Sequence, residues 1–94
     1  MDWRKYYRDL LEHGWREAKP GQEIELKGHR LMLVVIVLEG RMLLRIRDAE
    51  GVVLGEDLIG EGIHLYMELP YLPRRVVMDF RGRGHVLYLS LIHI

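Results

Sequence analysis

The sequence predicts a mainly β protein: an antiparallel β-roll or jelly-roll-like sandwich with one N-terminal α-helix. Three observations predict it. Apolar residues recur at helical spacing only before Pro20, and beyond it the period falls to two. Short apolar-alternating runs then follow one another at regular spacing, separated by glycine-bearing turns. Two of these runs, Leu31–Leu38 and Val86–Ile94, are apolar on both faces, so each must be covered on both sides.

The helix is expected from Asp2 to His13, with Asp2 as its N-cap and Gly14 just past its end. Trp3, Tyr6, Tyr7, Leu10, Leu11 and Trp15 line one side, and Arg4, Lys5, Arg8, Asp9 and Glu12 the other. The aromatic stripe either packs on the rest of the protein or forms a partner-binding face. After Pro20-Gly21 the strands begin. Ile24 and Leu26 alternate with glutamates and Lys27, and Leu31–Leu38 is expected as an internal strand whose direction reverses at Glu39-Gly40. Met42, Leu44 and Ile46 alternate with arginines up to a turn at Asp48–Gly51. Val52–Leu54 predicts a short strand, Ile63–Leu69 and Val76–Phe80 two more, and Arg81–Gly84 a second glycine turn before the last strand. The whole is one domain over residues 1–94, a helix over 2–14 and a roll over 21–94, with about seven strands.

Composition bounds the function. The chain has 94 residues, and 14 basic groups balance 14 acidic ones. No net field recruits nucleic acid or an acidic membrane. Arginines at 41, 45, 47, 74, 75, 81 and 83, with tyrosines between them, could meet nucleic acid, but interleaved acids argue for a solvated salt-bridge ladder, and nucleic acid is not expected as a partner. The absence of cysteine removes disulfides, thiolate nucleophiles and Cys-ligated zinc. No run approaches the roughly 18 apolar residues of a membrane span, and the charged N-terminus has no signal-peptide core, so a cytoplasmic location is expected. Asn and Thr are absent, Gln and Ser occur once each, and 11 arginines stand against 3 lysines. Heat-adapted proteins share that pattern, and a GC-rich genome or a designed sequence would also produce it.

Catalytic and metal patterns are thin. Ser90 lies in an apolar strand without a glycine-flanked elbow. Glu56, Asp57 and Glu61 cluster beside a turn, where acids are usually solvated. His29, His64, His85 and His93 are isolated, with no His-x-His pair. Neither an enzyme nor a cofactor or metal is expected.

Pro20-Gly21-Gln22-Glu23-Ile24, then Gly28, then Val37-Leu38-Glu39-Gly40 resembles in order and spacing the opening of the cyclic-nucleotide-binding domain, a β-roll of the wider double-stranded β-helix (cupin-like) family. Arg41–Gly51 resembles that family's following hairpin. Asp57–Leu65 resembles the start of its phosphate-binding cassette, Pro73–Val77 the cassette's end, and Gly84–Leu91 the closing strand. The resemblance implies a nucleotide or similar anion held by the Gly60 and Glu61 region and by Arg74 or Arg75. Backbone N–H groups would face the phosphate and an arginine fork would clasp it. The likeness is divergent. Glu61 and Arg74 stand farther apart than in the family, Val76 takes a place usually held by a small residue, and the family's C-terminal helices have no counterpart in these 94 residues. In the plainer reading Gly60 and Glu61 form a turn and the two arginines are solvated.

These readings converge on a non-catalytic binding or assembly module that associates with a protein partner or with copies of itself. A small-ligand sensor for a nucleotide or anion is the alternative. The association surface is expected around Leu87, Leu89 and Leu91, with Trp3 and Tyr7, since a short helix shields only part of the two double-faced strands.

Overall fold

A computed structural model describes residues 2–28, 30–66, 69 and 71–91. Helix α1 spans Trp3–Glu12, followed by strands β1 Arg16–Ala18, β2 Gln22–Glu25, β3 Arg30–Asp48, β4 Val53–Tyr66 and β5 Arg75–Leu91. Every pairing is antiparallel. β3 is central, with β4 on one side and β5 on the other, and the far side of β5 carries β1 and β2.

The three long strands bend together on one line. Along β3 and β4 the register jumps from Val37 opposite Gly62 to Arg41 opposite Gly60. Against β5 it jumps between Val37, Glu39 and Leu43. The extra residues of β3 form a bulge, which bends a strand and re-aims its side chains. The inward set accordingly switches from Leu31, Leu33, Val35 and Val37 to Met42, Leu44 and Ile46, all in one core cluster. The sheet is thus folded into two layers. One contains β1, the second half of β5, the first half of β3 and the end of β4. The other contains β2, the first half of β5, the second half of β3 and the start of β4. Numbering the eight segments along the chain, the layers run first-eighth-third-sixth and second-seventh-fourth-fifth, the strand order of a jelly roll.

The expected fold class therefore stands, with the connections corrected. About seven short strands are expected, whereas five form among the described residues, three of them long enough to serve both layers. Glu39-Gly40 carries the chain from one layer into the other inside β3, without a hairpin. Arg81–Gly84 is likewise the bend inside β5, and Val52–Leu54 leads directly into β4. The Asp48 turn forms as expected: its Oδ1 accepts from the backbone N–H of Glu50 (2.9 Å) and of Val52 (2.8 Å). Asp2 occupies the N-cap position but makes no side-chain capping hydrogen bond among the described residues.

Leu38, beside the bend, is 40% exposed, whereas from Leu31 to Val37 the segment is internal and covered on both faces. Its odd-numbered positions enter the core between the layers, while Val34 and Ile36 join Leu87 in a second cluster on the outer face. Trp3, Tyr7, Leu10 and Trp15 lie over that cluster. The helix is the cover that the double-faced strand required, and burying each of these aliphatic side chains is worth about 1.5–3 kcal/mol. Among the described residues no helix is long and apolar enough to cross a membrane.

Candidate functional site

The elements of the expected anion site do not meet. Gly60 lies in β4 opposite Arg41, at the bend. Arg75 lies opposite Glu25 at the far end of the same layer, just beyond the pairing of Asp48 with Val76. The intervening length of β3, Arg41 to Asp48, spans about 23 Å at strand rise. Glu61 turns back to accept the Gly40 N–H (2.8 Å), bracing the bulge. Arg75 pairs with Glu23 (3.4 Å), and the Arg74 carbonyl accepts from the Leu26 N–H (2.9 Å). The physical reason is local: Asp57–Leu65 continues as a strand, where a phosphate cassette requires a short helical turn.

The expected association surface is partly consumed. Leu87 is fully buried beneath α1, and Trp3 and Tyr7 are part of what buries it. Leu89 and Leu91 are half-buried near the end of β5. Ile92 and Ile94 lie outside the described residues.

A polar clasp fixes the helix over this region. The Tyr7 hydroxyl donates to Glu17 Oε1 and His85 Nδ1 to Glu17 Oε2, both at 2.5 Å. The His85 ring stacks on Trp3, with centroids 5.2 Å apart, and lies 4.8 Å from the Tyr7 ring. Burial pushes the Glu17 carboxyl up, but the hydrogen bonds from Tyr7 and His85 and the charge of His85 outweigh it and hold the group below its ordinary value. The hydrogen bond to Glu17, then burial and the Glu17 charge, raise the Tyr7 phenol. The linkage signs follow. A lowered Glu17 contributes stability above its unfolded value that is lost as pH falls through the folded one. A raised Tyr7 contributes stability below about pH 10 that is lost as pH rises through its folded value. Thermal melts across pH are expected to fall on both limbs, and Tyr7→Phe should flatten the alkaline limb. An alkaline limb unchanged by that substitution would show that Tyr7 does not supply it.

Two features were not anticipated. The first is the outer edge of β4. This strand of 14 residues pairs only with β3 among the described residues. Leu58 and Leu65, on either side of the bend, are 53% and 57% exposed. The second is an opening of about 220 Å³ between the layers, at the end of the roll away from the bend. Leu31, Leu33, Leu44, Ile46 and Leu54 line its interior, and Glu56, Asp57 and Tyr66 stand with them in its wall. The Tyr66 hydroxyl donates to Asp57 Oδ2 (3.3 Å), and Glu56 pairs with Arg45 (2.7 Å). Burial, followed by the Asp57 charge and this hydrogen bond, raises the Tyr66 phenol. Alternation marks Ile63–Leu69 as a strand, but no local signal marks β4 as an edge strand. Among the described residues no three His, Asp or Glu side chains are grouped to hold a metal, and His29 and His93 lie outside them.

No protein-family model, curated protein or solved structure matches the chain.

Proposed function

We propose that this protein is a non-catalytic assembly module, and that its association surface is the outer edge of β4 paired antiparallel with the same strand of a second copy. The observation that carries the reading is the long outer edge of β4, unpaired among the described residues, together with its two exposed leucines. An open strand edge offers a row of backbone donors and acceptors to another strand. Natural edges are usually shortened, charged or covered; this one carries Glu56, Asp57 and Glu61 but is long and also bears the exposed Leu58 and Leu65. A two-fold axis through the bend places Leu58 of each copy opposite Leu65 of the other. One surface then serves both partners. The bend also suits continuity, since each layer of one roll would extend into the opposite layer of its neighbour.

Light scattering at tens of micromolar tests it. The unaltered chain is expected to show twice the monomer mass, and Leu58→Lys with Leu65→Lys the monomer mass with the circular dichroism of the folded chain retained, because both side chains are solvent-exposed in one copy. A monomeric unaltered chain, or a dimer indifferent to both substitutions, overturns the proposal.

The nucleotide- or anion-sensing alternative has less support. Its arginines stand apart from Gly60 and Glu61, and the opening between the layers carries two carboxylates, which repel a phosphate.

A further inference from the structure

We infer that the opening between the two layers is a binding site for a small amphiphilic cation: a primary amine with a compact apolar body, the body between the sheets and the ammonium group against Asp57 and Tyr66. The interior argues for the body. Leu31, Leu33, Leu44, Ile46 and Leu54 are all buried aliphatic side chains, with no polar side-chain atom among them. An apolar cavity of about 150 Å³ accepts a benzene-sized molecule, so 220 Å³ suits about nine non-hydrogen atoms.

The wall argues for the charge. Its charged groups among the described residues are Glu56 and Asp57, both acidic. Glu56 is neutralised by Arg45. Asp57 accepts from the Leu58 N–H (2.8 Å) and the Tyr66 hydroxyl, and has no cationic partner among the described residues. A carboxylate without a counter-charge beside an apolar opening favours a cation. The Tyr66 oxygen, which donates its proton to Asp57, keeps lone pairs to accept from an ammonium. A phenol held neutral by its surroundings retains that donor at ordinary pH. The ammonium stays at the mouth, where it needs no full desolvation.

Three probes of equal body test the inference by amide chemical-shift titration: 2-phenylethylamine, 2-phenylethanol and 3-phenylpropionate. The amine is expected to give saturable shifts centred on Leu33, Leu44 and Tyr66, with the alcohol about tenfold weaker and the carboxylate weaker again. Asp57→Asn should remove the preference for the amine over the alcohol while leaving alcohol binding in place. Gly55→Leu should block all three, because Gly55 lines the opening and an added Cβ there has nothing within 4 Å, leaving the longer side chain to enter the opening. The inference is overturned if no probe gives localised shifts, if the carboxylate matches the amine, if the preference survives Asp57→Asn, or if folded Gly55→Leu binds as before.

Discussion

Gly84→Ala is expected to lower the stability of the fold by about 3 kcal/mol or more, at the upper end of overpacking costs. Gly84 sits in β5 opposite Val37, where the strands fold from one layer to the other. A Cβ there would fall onto the Ile36 carbonyl oxygen and lie 3.0 Å from Met42 Cε. The first of these is backbone in the centre of the sheet, so no side-chain rotation relieves the clash. Gly82, at φ +143°, lies on the same line, where an added Cβ would come within 2.9 Å of the Arg41 carbonyl oxygen. Gly60→Ala provides the contrast. Nothing lies within 4 Å of its added Cβ, so the change should be within about 0.5 kcal/mol or mildly stabilising. Urea unfolding followed by circular dichroism reads both variants. Equal midpoints for Gly84→Ala and the unaltered chain would mean that β3 and β5 do not approach at the bend as described.

Leu87→Ala should cost about 2–5 kcal/mol, the range for truncating a fully buried leucine. Its effect should exceed cavity formation alone, because Leu87 is the floor on which α1 rests beside Val34 and Ile36. A helix of ten residues is marginal in isolation and depends on such packing. Trp3 and Trp15 pack on the same cluster, so their fluorescence should shift to the red before the sheet melts. Val52→Ala, at an exposed position outside the proposed seam, should change stability by no more than about 0.5 kcal/mol. Similar losses for the two variants, or unshifted tryptophan emission in Leu87→Ala, would contradict this account of the helix.

The legible part of the fold was whatever burial writes into local order. The stripe of Trp3, Tyr7 and Leu10, and the unbroken run from Leu31 to Leu38, each demand an apolar neighbour, and each is the other's cover. The turn at Asp48 was legible because its carboxylate bonds its own backbone. The bends were not. Glycine marks hairpins and bulges alike, so Gly40, Gly60 and Gly82 punctuate the sequence as if each ended a strand, and only the pairing register separates the cases. The site was misplaced for a related reason. Gly60, Glu61, Arg74 and Arg75 stand in a suggestive order, but order along an extended strand separates residues that a helical turn would bring together. Glu56 and Asp57 were visible only as acids near a turn, since the sequence does not say that the neighbouring space is an apolar opening. Nor does it say that β4 is an edge strand, because hydrogen-bond neighbours across a sheet are set by partners distant in the chain.

Because β3, β4 and β5 each run through both layers, neither layer is an independent unit of folding. The hairpin of β3 and β4, closed by the Asp48 turn, is local and can form early. β5 must then zip along the whole of β3, from Val76 opposite Asp48 to Leu91 opposite Arg30, before either layer is complete. Such distant pairing places the protein among slow folders, on the order of milliseconds to seconds. The same sharing governs opening. A fluctuation that frees the centre of one layer must break strands belonging to the other. Slowly exchanging amides on both sides of the bend should therefore report one common free energy, that of global unfolding.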